Sequence, residues 1–140
     1  MSRLLNRWAR RVRQGIQKRF CCQIPRRFLN TVKFPHPVGI VIGDGVRIGA
    51  NCRIYQNVTL GLLENTRAEH AIDQYPTIED GVTIYAGAVI AGKVTLGAGA
   101  IVGANAVITH DVAPGTMAFG RNQFRPVERS FPANVARIGA

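Results

Sequence analysis

The stretch IGDGVRIGANCRIYQNVTLG, residues 42–61, carries an aliphatic residue at every sixth position: Ile42, Ile48, Ile54 and Leu60. An α-helix repeats every 3.6 residues and a half-buried strand every two, so neither accounts for a period of six. After an interruption the period resumes with Ile78, Ile84, Ile90, Leu96, Val102 and Ile108. A second apolar series, often small, follows four residues behind: Val46, Cys52, Val58, then Val82, Ala88, Val94, Ala100, Ala106 and Val112. A third column, three residues after each aliphatic, reads Gly45, Asn51, Asn57, Gly81, Gly87, Lys93, Gly99, Asn105 and Asp111. Gly, Asn and Asp tolerate left-handed backbone angles, so this column marks corners, with Lys93 the exception. Short straight segments joined by corners every six residues coil into a prism whose large aliphatics stack inside it. Each coil then satisfies its backbone polar groups on the coils above and below.

The chain has 140 residues, the length of one domain with a real core, and no apolar run approaches the roughly 18 residues of a membrane span. Its net charge of +10 is unevenly placed. Residues 1–27 hold nine basic residues and no acidic one, and the rest of the chain is nearly neutral. The basicity therefore belongs to an arm and not to a nucleic-acid-binding surface, and no zinc or helix-turn-helix spacing follows it. Cys21, Cys22 and Cys52 are an odd set with two adjacent members, which does not make a disulfide framework. Reduced thiols in a cytoplasmic protein are expected. The N-terminus lacks a continuous apolar core, so no signal peptide is expected.

On a helix over residues 3–20, Leu5, Trp8, Ala9, Val12, Ile16 and Phe20 share one stripe and the arginines take the remaining surface. Pro25 ends it. Two readings stay open: a helix packed on its own domain or on a neighbouring subunit, and an interfacial helix on an anionic membrane, where each basic residue contributes about 1 kcal/mol.

The hexapeptide [LIV]-G-x-x-x-x, as in I42-G43-D44-G45-V46-R47, I48-G49-A50-N51-C52-R53 and V102-G103-A104-N105-A106-V107, resembles the left-handed parallel β-helix of the hexapeptide-repeat acyltransferases, over about residues 34–125. The resemblance implies an all-β fold, here preceded by a short amphipathic helix, with a basic arm over 1–33, the coil over 34–112, an extruded loop over 62–77 and a tail over 113–140. It also implies a homotrimer. Within the family, His36 ahead of Gly39-Ile40-Val41-Ile42, followed by Gln56-Asn57-Val58-Thr59-Leu60-Gly61, is similar to the serine acetyltransferase branch. There the histidine is the general base that takes the proton of an acceptor hydroxyl as it attacks the thioester of acetyl-CoA. Imidazole suits the task, because it titrates near neutral pH.

The same resemblance implies that Ala86 and Ala104, 18 residues apart, face the pantetheine arm of acetyl-CoA, and that Thr109, His110 and Arg125 contact its phosphate end. Asn57, and His70 and Tyr75 in the loop, are implied acceptor contacts. Three departures from the serine branch point to another acceptor. The N-terminal domain is short. The expected acid ahead of the histidine falls in FCCQIPRR, near Cys21, which leaves a backbone carbonyl or Asp44 to orient His36. Tyr75 stands where a second histidine is expected. Tyr75 in QYPTI resembles sugar and polysaccharide O-acetyltransferases, whose acceptors are made at the inner membrane surface, and a saccharide hydroxyl is the expected acceptor. L-serine is the alternative. A repeat scaffold without catalysis is the alternative of another class. A γ-type carbonic anhydrase is disfavoured because His36, His70 and His110 lack the close pairing its zinc needs, so no metal site is expected.

The membrane reading of the arm predicts that the full chain co-sediments with anionic vesicles at low salt and that a chain lacking the arm does not. Equal behaviour of the two assigns the helix to protein packing.

Overall fold

A computed structural model describes residues 22–63 and 71–127. The expected helix over 3–20, His70 and the chain beyond 127 lie outside the described residues. Among the described residues the strands, in chain order, are β1 (Val41–Ile42), β2 (Arg47–Ile48), β3 (Arg53–Ile54), β4 (Thr59–Gly61), β5 (Thr77–Ile78), β6 (Thr83–Ile84), β7 (Val89–Ala91), β8 (Thr95–Leu96), β9 (Ile101–Val102), β10 (Val107–Ile108), β11 (Thr116–Phe119) and β12 (Gln123–Pro126). They form three sheets. Face 1 is β1-β4-β7-β10, face 2 is β2-β5-β8, and face 3 is β3-β6-β9-β11 with β12 added antiparallel at its end. All other pairs are parallel, so the chain winds through faces 1, 2 and 3 and begins again one rung lower.

The register is strict. Val41 pairs with Thr59, and Val89 with Val107, a step of 18 residues, which is three sides of six. Between them Thr59 pairs with Val89, a step of 30. Twelve residues are therefore inserted, and they leave and return at one edge without shifting any column. The insertion ends in a 3-10 turn, Ala71–Gln74, before Tyr75 and β5.

Both apolar columns are inside. Ile42, Ile54, Leu60, Ile84, Ile90, Leu96, Val102 and Ile108 are wholly buried, and so are the small residues Cys52, Ala88, Ala100 and Ala106. A strand of two or three residues turns one large side chain inward, and the small residue at the corner fills the angle of the triangle. No polar or charged residue is buried among the described residues. The core is thus held by apolar burial, at about 25 cal/mol per Å² removed from water, and by the backbone ladder.

The ladders extend past the expected boundaries at 34 and 112. Gln23 bridges Val41 on face 1 and Lys33 bridges Arg53 on face 3. Cys22, Phe28 and Val32 are buried over the top of the stack, and Arg27 Nη2 donates to the carbonyls of Asp44 and Val46. The first rung would otherwise leave Ile42 and Ile54 open to water, so residues 22–33 act as a cap. A truncation that tests the arm alone ends at residue 21. At the other end Val112 bridges Leu96, and β11 pairs with β9. Residues 113–126 are therefore the last turn of the prism and a hairpin.

The corners follow the third column at two edges only. Asn51, Gly81 and Gly99 have positive φ where face 2 meets face 3, and Asn57, Gly87 and Asn105 have it where face 3 meets face 1. Gly45, Lys93 and Asp111, where face 1 meets face 2, do not; there Gly92 takes the left-handed angle beside Lys93. At the edge between faces 3 and 1, asparagine and glycine alternate for a steric reason. A Cβ on Gly87 would lie 2.1 Å from Asn105 Oδ1, and one on Gly39 would lie 2.1 Å from Asn57 Oδ1. Gly87→Ala is expected to cost about 1–3 kcal/mol, from its φ of 72° together with this overlap. Asn105→Gly in the same chain should recover the steric part only, as read by urea unfolding.

The Cys52 thiol, in the small-residue column, donates to the Glu79 carbonyl at 3.1 Å. Burial, and secondarily the Asp80 carboxylate, push its pKa up, against hydrogen bonds from the Val82 and Gly81 backbone. The folded state thus favours the neutral thiol. That contribution is complete below the unfolded thiol pKa, near 8.5, and is lost as pH rises through the folded value. Stability should fall above about pH 8.5 more steeply in the parent than in Cys52→Ala, by at most about 1.4 kcal/mol per pH unit.

Candidate active site

His36 sits on an exposed turn that leads into β1. Pro35 and Pro37 flank it, and a residue before proline is held extended. The Val38 N–H donates to the His36 carbonyl at 2.8 Å, and the Cys22 thiol donates to the Pro37 carbonyl at 3.0 Å. The backbone under the imidazole is therefore fixed from both sides. The ring itself has no hydrogen-bond partner among the described residues; it lies against Tyr55, with centroids 6.2 Å apart and planes at 49°. Asp44 is no candidate to orient it, since it stands across face 1 on another edge, where its carbonyl accepts from Arg27.

Backbone hydrogen bonds define what lies beneath His36. Asn57 N–H donates to the Val38 carbonyl at 2.8 Å, Gly87 N–H to the Gln56 carbonyl at 3.0 Å, and Asn105 N–H to the Ala86 carbonyl at 2.9 Å. His36, Asn57, Ala86 and Ala104 thus share the edge between faces 3 and 1, with Ala86 half-buried and Ala104 exposed. Among the described residues the Ala86 and Ala104 N–H groups have no acceptor. Two small side chains one rung apart leave these donors open to a ligand laid along the edge. Gln56, on the same edge, carries a buried Oε1 with no partner among the described residues.

The other expected site residues lie elsewhere on the chain. Tyr75 packs on the edge between faces 1 and 2, where a Cβ on Gly43 or Gly45 would overlap its ring. It also borders a groove of about 310 Å³ with Arg47, Asp73 and Lys93. Thr109 and His110 follow β10 on the same edge as Tyr75. Thr109 Oγ1 lies 3.2 Å from His110 Nδ1, and Asn122 brackets Thr109, accepting from its N–H and donating to its hydroxyl, both at 2.9 Å. Arg125, in the terminal hairpin, has its guanidinium 5.6 Å from the Phe119 ring centre and 3.3 Å from Met117 Sδ. His70 is outside the described residues. One chain therefore unites His36, Asn57, Ala86 and Ala104, and holds Tyr75, Thr109 and His110 a face away.

Residues 75–110 match the family described as bacterial transferase hexapeptide (six repeats). The match lies within the coil, over β5 to β10. It is 39% identical over 98 residues to the serine acetyltransferase of Bacillus licheniformis, a match covering 70% of this chain and 42% of that protein. Among solved structures, soybean serine acetyltransferase complexed with serine superposes with a TM-score of 0.60 at 43% identity, over 69% of this chain and 37% of that one. A serine acetyltransferase in complex with CoA superposes at 0.57 and 35% identity, over 69% and 37%. The hexapeptide-repeat chain spans about two fifths of the length of these relatives. The coil it shares with them is the left-handed parallel β-helix.

Sequence reasoning gave no site role to Tyr55, Tyr85 or Gln56. Tyr55 and Tyr85 stack, with centroids 5.1 Å apart and planes at 28°. They are 30 residues apart, the same step that pairs β4 with β7 across the insertion. Without the length of the extruded loop, their shared column is invisible in the sequence.

Proposed function

We propose that this chain transfers an acetyl group from acetyl-CoA to a hydroxyl, with His36 as general base. One observation carries the reading: His36 stands at the head of the edge that runs down through Ala86 and Ala104 with its N–H groups open. The pantetheine amides of the coenzyme suit those groups, and the small side chains leave them accessible. CoA supplies the activated thioester. His36 takes the hydroxyl proton as the acceptor oxygen attacks the thioester carbonyl. Collapse of the tetrahedral adduct forms the ester and breaks the C–S bond, and the imidazolium returns its proton to the leaving thiolate.

L-serine leads as the acceptor, on the strength of the relatives' names. A saccharide hydroxyl is the second reading. It is favoured by Tyr75, whose ring fills the corner over Gly43 and Gly45 at the place where the serine branch has a histidine. The same proposal includes a homotrimer, as the resemblance implies, in which a second copy would set its Tyr75, Thr109 and His110 opposite the His36 edge.

His36→Gln is expected to lower thiol release from acetyl-CoA by about 10²–10⁴-fold with whichever acceptor the parent uses. Turnover within twofold of the parent would remove His36 from the chemistry. A panel containing L-serine and hexose acceptors decides between the two readings.

A further inference from the structure

We propose that Tyr55, braced by Tyr85, is the positioning residue for the His36 imidazole, doing with an aromatic face what an acidic partner would otherwise do with a hydrogen bond. The inference rests on the assignment of His36 as the base.

A base exposed on a turn has to be held in one rotamer if it is to meet a hydroxyl reproducibly, since small displacements cost large factors in rate. His36 has no hydrogen bond to hold it among the described residues, and its backbone is fixed while its ring is not. The ring contact it does make is with Tyr55, one rung below. Tilted aromatic pairs at centroid separations of about 4.5–7 Å are attractive beyond the area they bury. Tyr55 is half-buried and is itself backed by Tyr85 at 5.1 Å. Tyr85 is 41% exposed and packs no core side chain into place, so its ring is not there to fill the prism. Next in the column is Gly103, beside Val102, which pairs with Ile84. The stack thus comprises His36, Tyr55 and Tyr85 and stops one rung below. Neither tyrosine hydroxyl has a partner among the described residues, so the ring faces, and not the phenol groups, make the contacts.

The ring argument separates Tyr55→Phe from Tyr55→Leu. Tyr55→Leu should lower kcat about tenfold with the KM for acetyl-CoA within about twofold, while Tyr55→Phe keeps at least about half of the parent kcat. Tyr85→Gly should fall between the two, since it removes the brace and leaves the contact. The second readout is independent of turnover: in the parent the His36 ring-proton NMR resonances carry the ring-current shift of Tyr55, and Tyr55→Leu should move them while Tyr55→Phe leaves them in place. Retention of parent kcat by Tyr55→Leu overturns the proposal, as does an equal loss in Tyr55→Phe, or His36 resonances that do not respond to Tyr55→Leu. Failure of the acetyl-transfer reading looks different: no thiol release by the parent with any acceptor, and no change on His36→Gln, with the His36 resonances still answering to Tyr55.

Discussion

The backbone ladder between successive coils is the constraint from which the other features follow. Each short strand gives its N–H and C=O groups to the rungs above and below, as when Val41 N–H donates to Val58 and Thr59 N–H to Ala88. Strands in such a ladder stand about 4.8 Å apart. A residue's vertical neighbour is therefore dictated by register, 18 residues away in an uninterrupted coil. Once that step is fixed, every column has one chemical character along its length: large aliphatic inside a face, small apolar inside a corner, left-handed residue at the turn. A one-residue slip would exchange inward and outward side chains throughout.

Side chains reinforce the ladder where the backbone leaves a donor unpaired. Asp80 Oδ1 accepts from the Ala50 N–H at 2.7 Å, Glu79 Oε2 from Ala98 at 2.8 Å, and Asp111 Oδ1 from Thr95 at 2.7 Å. Each joins one coil to the next at a corner. Gly49 is part of this arrangement, since a Cβ there would lie 2.2 Å from Asp80 Oδ1. The acidic residues of the body are thus partly spent on backbone donors, and their near balance with basic residues says little about a ligand. The one ion pair among the described residues, Arg47 with Asp73 at 4.0 Å, is exposed on both sides, and pairs of that kind contribute little.

The period of six made the prism, both apolar columns and most of the corners legible in the sequence, because each is a local consequence of one repeat. The corner between faces 1 and 2 was not, since Gly45 and Asp111 are residue types that permit a left-handed angle without requiring it, and Gly92 takes it at Lys93's corner. The cap over residues 22–33 and the closing hairpin were hidden for another reason: their ladder contacts come without the repeat. At the candidate site, 18-residue spacing placed Ala86 over Ala104 in advance. The neighbours of His36 were not readable, because the cap and the insertion both break the numerical step between it, Tyr55 and Tyr85.

An imidazole held by a ring face differs chemically from one held by a carboxylate. A carboxylate bonded to one nitrogen selects the tautomer and steadies the imidazolium once the proton has moved. An aromatic face fixes the plane of the imidazole and leaves both nitrogens free to hydrogen-bond. The choice of which nitrogen accepts the proton then passes to the acceptor hydroxyl and to whatever faces the turn across the edge. The rigid part of the site is consequently the backbone: two prolines, the Cys22–Pro37 contact and the Asn57–Val38 hydrogen bond hold the His36 turn at the head of the edge that carries Ala86 and Ala104. A coil that fixes its columns this firmly can replace a charged partner with a stack of rings, because each ring's position is set by the rung it stands on.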